Sequence, residues 1–148
     1  MSKKEKAVKL FELRFNCSQA IFAAYCQGGE LDEVTALKLS TVFGAGVACA
    51  GQGPCGAVAG ALMALSMKHG RGDLESVDAK TETYEIGRQF MAEFKARNGS
   101  FLCLRTDSRH EYRHCQGAQE GASSRVIRDK MPGCRKISSG HLGRNALT

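Results

Sequence analysis

The sequence has few of the features that mark several protein classes. It has no tryptophan, only two prolines and 7% aromatic residues. The longest apolar stretch, residues 57 to 67, is about half the roughly 20 residues that a membrane-spanning helix needs. The segment from Met1 to Phe15 has no apolar core of the signal-peptide type. We therefore expect a cytoplasmic protein that does not associate with membranes.

The sequence also has no motif typical of the common nucleotide-dependent or hydrolytic enzymes. It contains no phosphate-binding P-loop, no dinucleotide fingerprint and no serine-nucleophile motif. The net charge is +6, but the basic residues are scattered and no motif has base-reading geometry, so we do not expect nucleic-acid binding. A redox partner protein and a second copy of the chain in a homodimer both stay open as partners.

Helical periodicity dominates the pattern of apolar residues, and no alternating strand pattern is present. The spacing predicts five helices, which begin near Lys6, Cys17, Asp32, Pro54 and Thr81. Short helices in the last third would add a sixth. We therefore predict an all-α, single-domain bundle of five or six helices over residues 1–148, with a flexible tail at 138–148 and the cysteines gathered at one end.

Seven cysteines stand out in a chain that we expect in a reducing compartment. Cysteines there more often bind metal or do chemistry than form permanent disulfides. Cys17 follows Asn16, a predicted N-cap, and Cys55 follows Pro54, a predicted first helical residue. Both thiols thus fall in a first helical turn, where free N–H groups favour a thiolate and lower the pKa. The alternative is that both are small buried apolar side chains.

Glycines surround Cys55 and leave it with little side-chain cover. Gly56 and Gly60 are one helical turn apart, and such small residues let a second backbone or a bulky cofactor come close. Tight helix packing and cofactor binding are both compatible with this spacing.

Several segments resemble a redox-active family named for its cysteine pattern, C_GCAxxG_C_C, over roughly residues 5 to 137. The resemblance rests on residues 16–19 (NCSQ), 43–46 (FGAG), 55–60 (CGAVAG), 98–103 (NGSFLC) and 134–137 (CRKI). It implies that Cys17, Cys55, Cys103 and Cys134 fill the four family positions. Cys26, Cys49 and Cys115 are additional, and Cys115 competes with Cys134 for the last position.

The resemblance leads to an expected site but leaves its chemistry open. Cys17, Cys55, Cys103 and Cys134 would act as metal ligands, with Gly56 and Gly60 beside the cofactor. An iron–sulfur cluster would make the protein an electron carrier. A Cys17–Cys55 thiol–disulfide pair would instead make it an oxidoreductase. A structural zinc protein and an interaction module with packing cysteines are the alternatives from other classes.

Overall fold

The computed structural model describes residues 1–26 and 31–103, and this part of the chain folds as a bundle of five helices. The helices are α1 (Lys3–Glu12), α2 (Cys17–Tyr25), α3 (Glu33–Ser40), α4 (Gly56–His69) and α5 (Ala79–Asn98). A 3-10 turn, Thr41–Phe43, follows α3 directly. Within the described ranges, β-pairing is confined to one bridge between Pro54 and Leu102. The predicted all-α bundle is confirmed, whereas the extent of the domain and the tail at 138–148 stay predictions.

Helix α2 lies at the centre of the bundle. It has no charged residue, and every one of its side chains except Gln19 is buried. A helix that is apolar on all sides has to be surrounded by other elements. Accordingly, α1, α3 and α4 all pack against α2, and α5 packs on the outer side of α4.

Helix α5 is amphipathic and covers α4 with one face. Its buried residues are Phe90 and Phe94, whose ring centroids lie 6.3 Å apart, and most of its exposed side chains are polar. None of the helices in the described ranges combines the length and the apolar character that crossing a membrane requires.

Local signals in the sequence set most of the helix boundaries. Asn16 caps α2 and forms a reciprocal capping box with Gln19, as the spacing predicts. Asp32 caps α3 by accepting a hydrogen bond from the backbone N–H of Thr35. Helix α4 ends at His69 with Gly70 as its C-cap.

The start of α4 differs from the prediction. Pro54 is extended and not helical, because it pairs with Leu102, and Cys55 is the N-cap of a helix that begins at Gly56. Two hydrogen bonds hold this pairing: Cys55 N–H donates to the Phe101 carbonyl at 2.7 Å, and Cys103 N–H donates to the Gly53 carbonyl at 3.0 Å. The bridge therefore brings Cys103 beside Cys55.

Glycines on α4 allow the close approach of α2. A Cβ atom at Gly60 would lie 2.6 Å from the Ser18 carbonyl oxygen and 3.2 Å from Ile21 Cβ. The space next to Gly60 is therefore taken by the α2 backbone. Because the two helices meet at this point, their first turns, which carry Cys17 and Cys55, lie next to each other.

Candidate functional site: a cluster of cysteine thiols

Three cysteines from distant parts of the chain meet at the start of α4. Cys17 is the first residue of α2, Cys55 caps α4, and Cys103 follows the bridge residue Leu102. Cys17 and Cys55 are 5% and 4% exposed, whereas Cys103 is half-buried. The structure thus brings together three of the four cysteines that the family resemblance implies, and Cys134 lies outside the described residues.

The Cys17 sulfur packs directly against the first residue of α4. A Cβ atom at Gly56 would collide with Cys17 Sγ, and it would also lie 3.1 Å from the Ser18 backbone nitrogen. Any side chain at position 56 would therefore displace the thiol. Gly56 is the residue that allows Cys17 to lie beside Cys55.

The thiol of Cys55 does not titrate as its sequence position predicts. Burial, followed by the negative charges of Cys17 and Cys103, raises its pKa to about 12. The N–H groups of Ala57 and Val58 at the start of α4 act in the opposite direction, but they are the weaker influence. The prediction of an accessible, low-pKa Cys55 is therefore wrong, because desolvation in a packed core outweighs the field of the helix N-terminus.

A loop with left-handed backbone lies beside the three thiols. Residues 45 to 49 all have positive φ angles, between 51° and 76°, and only Gly46 among them is a glycine. Hydrogen bonds close the loop, including Ala48 N–H to the Val42 carbonyl at 2.6 Å and Gly53 N–H to the Gly46 carbonyl at 3.1 Å. A Cβ atom at Gly46 would lie 2.9 Å from Cys103 Cβ, so the loop packs against the third cysteine.

The sequence does not predict this conformation. The glycine and alanine content of residues 44 to 53 predicts a loop but gives no sign that Ala45, Val47, Ala48 and Cys49 adopt the left-handed region. L-residues avoid that region because Cβ crowds the backbone. The hydrogen bonds of the loop and its packing against Cys103 stabilise this conformation.

Two further cysteines lie within the described residues. Cys26 is the C-cap of α2, at the end of the helix opposite to Cys17. Cys49 belongs to the left-handed loop. Cys115 lies outside the described residues, so its competition with Cys134 for the last family position stays a prediction.

The candidate metal ligands are all cysteine thiols, the ligand type that iron–sulfur clusters and zinc prefer. In residues 1–26 and 31–103, however, no three His, Cys, Asp or Glu side chains are arranged so that they could hold a metal ion. A complete set of four thiolate ligands would need Cys134. The assignment of Gly56 to a cofactor also stays a prediction.

The described part of the chain is thus a helical bundle in which cysteines from two helix starts and from a bridge lie near one another. The comparison with protein families identifies a family with a characteristic cysteine pattern. The chain belongs to the family described as "Putative redox-active protein (C_GCAxxG_C_C)", whose model matches residues 15–140. Neither a search of curated proteins nor a search of solved structures found a match.

Proposed function

We propose that the protein carries out thiol redox chemistry in which Cys17 and Cys55 interconvert between two thiols and one disulfide. The observation that carries the proposal is the position of Cys17 Sγ against Gly56, the residue that follows Cys55. In the oxidising direction the two thiols lose two electrons and two protons, and the S–S bond forms. A disulfide of the partner protein accepts both electrons and both protons and becomes two thiols.

The electrostatics of the cluster support this chemistry. The charge of a Cys17 thiolate is one of the two largest causes that raise the pKa of Cys55, so the two sulfurs interact strongly. A disulfide carries no charge, so it can occupy this buried place without the desolvation cost that a thiolate would have there. Reduction restores Cys55 as a neutral thiol, because burial raises its pKa to about 12. A cytoplasmic location fits the cycle, because a reducing compartment returns the pair to thiols.

A second function, electron transfer by an iron–sulfur cluster, is favoured by a different observation. Cys103 lies beside Cys55, across the bridge between Pro54 and Leu102, so a third thiol borders the proposed pair. A cationic cluster would stabilise the thiolate form of a cysteine whose pKa is otherwise about 12. Cys17, Cys55, Cys103 and Cys134 would then be the ligands, and the same set could hold structural zinc.

The full chain, purified without oxygen, distinguishes these functions. Iron, zinc and acid-labile sulfide are measured first, together with the visible absorption spectrum. The metal-free protein is then equilibrated with glutathione at a series of reduced-to-oxidised ratios, and its disulfides are mapped by mass spectrometry. Cys17→Ser and Cys55→Ser test the proposed pair, and Cys26→Ser is the matched control at the other end of α2.

We expect one two-electron transition that yields a Cys17–Cys55 disulfide, and we expect it to be absent from Cys17→Ser and Cys55→Ser but intact in Cys26→Ser. Thiols at Cys17 and Cys55 that stay reduced at every ratio would refute the proposal. Stoichiometric iron and sulfide, with an absorption that Cys103→Ser also removes, would establish the cluster instead. Stoichiometric zinc without visible colour would indicate a structural site.

A further inference from the structure

The residues on both sides of Cys17 form a network of polar side chains, and Asn16 is its centre. Asn16 Oδ1 accepts a hydrogen bond from the backbone N–H of Gln19 at 3.0 Å, which closes the first turn of α2. Asn16 Nδ2 donates to the Thr41 carbonyl oxygen at 2.8 Å. One side chain therefore caps α2 and also ties it to the 3-10 turn that follows α3.

The neighbours of Cys17 extend this connection. The fully buried Ser18 hydroxyl lies 2.6 Å from the Ser40 carbonyl oxygen and 2.7 Å from Asn16 Oδ1, and these two acceptors share its proton. Gln19 Nε2 donates to Thr41 Oγ1 and to the Leu37 carbonyl, both at 3.0 Å. Residues 16, 18 and 19 are thus all bonded to the last turn of α3 or to the turn after it.

The same side chain borders the loop that packs against the thiols. A Cβ atom at Gly44 would lie 2.6 Å from Asn16 Cγ and Nδ2, so the backbone of the loop begins in contact with the amide. Cys17 is consequently fixed from two sides. Its backbone is held by the hydrogen bonds of Asn16 and Ser18, and its sulfur is held by Gly56.

Resting on the thiol pair of the proposed function, we propose that Asn16 is the positioning residue of the Cys17 thiol. Its two groups have separate tasks. The Oδ1 atom stabilises the helix start, as any good N-cap does. The Nδ2 donor fixes the helix start against Thr41 and thereby holds the sulfur at Gly56 and next to Cys55.

The variant Asn16→Ser separates the two tasks. Serine is as good an N-cap as asparagine, is uncharged, and has no donor that reaches the Thr41 carbonyl. The control is Ser2→Ala, which removes the capping box that Ser2 and Glu5 form at the start of α1, away from the thiols. The reduced, metal-free full chain is labelled with iodoacetamide at a fixed pH, and the rates at Cys17 and Cys55 are followed in one sample by mass spectrometry.

We expect Asn16→Ser to raise the ratio of the Cys17 rate to the Cys55 rate at least tenfold and Ser2→Ala to leave it unchanged. We also expect a tenfold shift of the Cys17–Cys55 equilibrium with glutathione, which corresponds to about 30 mV for a two-electron couple. A ratio within twofold of the wild type, or rates that rise together at both cysteines, would overturn the positioning role. If the wild type forms no disulfide, the proposed function fails while the labelling ratio still decides the role of Asn16.

Discussion

Gly60 offers the sharpest test of how the bundle brings the two thiol-bearing helix starts together. In an ordinary helix, Gly→Ala stabilises by about 1 kcal/mol, because alanine loses less backbone entropy on folding. At Gly60 the added Cβ would lie 2.6 Å from the Ser18 carbonyl oxygen and 3.1 Å from Ser18 Cα. These are backbone atoms of the central helix, and they cannot move aside as a flexible side chain would.

The expected change in stability is the difference between the cost of this collision and the gain in helix propensity. Overpacking a tight core costs roughly 1–3 kcal/mol, and a collision with backbone places Gly60→Ala at about 3 kcal/mol. Subtracting the helix-propensity gain of about 1 kcal/mol leaves a net destabilisation of about 2 kcal/mol. For a chain of this length, that corresponds to a decrease in Tm of roughly 4–8 °C.

Gly87 in α5 is the matched control. A Cβ atom there would meet only Leu62 Cδ2, at an ordinary contact distance of 3.5 Å. Gly87→Ala should therefore show the helix-propensity gain alone, about 1 kcal/mol of added stability. The same substitution, glycine to alanine in a helix, is thus expected to have opposite signs at the two positions.

Urea denaturation followed by circular dichroism of the reduced protein gives both values, with the slope of the transition showing whether unfolding stays two-state. The two variants should differ by about 3 kcal/mol in the free energy of unfolding, the sum of a loss of about 2 and a gain of about 1. A Gly60→Ala protein as stable as the wild type would contradict the packing of α2 on α4 described here.

Two further predictions concern the cysteines. The fold raises the pKa of the Cys55 thiol to about 12, whereas the thiol of the unfolded chain titrates near pH 9. As pH rises from about 9, the unfolded chain therefore loses the thiol proton before the folded protein does. The free energy of unfolding should then fall between about pH 9 and 12. Urea denaturation at several pH values across that range should show this decrease in the wild type and a smaller decrease in Cys55→Ala. If the free energy of unfolding falls equally steeply with pH in both proteins, the burial of this thiol is contradicted. Cys17 and Cys26 stand at opposite ends of α2, about 13 Å apart along the axis, so mild oxidation should never link them. A Cys17–Cys26 disulfide found by peptide mapping would show that α2 does not exist as described.

The start of α2 illustrates what the sequence can reveal by itself. The Asn16 and Gln19 spacing predicts a capping box, and the box forms because its atoms are all within one turn. The resemblance to the redox-active family likewise identifies Cys17, Cys55 and Cys103, which the fold brings together. Such features depend on neighbours along the chain or on a motif that the sequence carries in full.

Features that depend on distant partners were missed. Pro54 was expected to open a helix, but its pairing with Leu102 comes from 48 positions further along the chain and leaves no local signal. The pKa of Cys55 was expected to be low because the helix start is visible in the sequence, whereas the burial that raises it results from tertiary packing. The Asn16 donor to Thr41 joins residues 25 positions apart, and no pattern predicts it.

The left-handed loop has a consequence for chemical synthesis of the protein. At residues 45 to 49 the backbone has the handedness that a D-amino acid adopts in its own ordinary helix. Each L-residue there other than Gly46 carries a cost of roughly 1–2 kcal/mol, which the hydrogen bonds and packing of the loop have to offset. A mirror-image building block such as D-alanine at position 48 would carry no such backbone cost. In this segment beside the thiols, the L-chirality of the residues therefore has a local backbone cost.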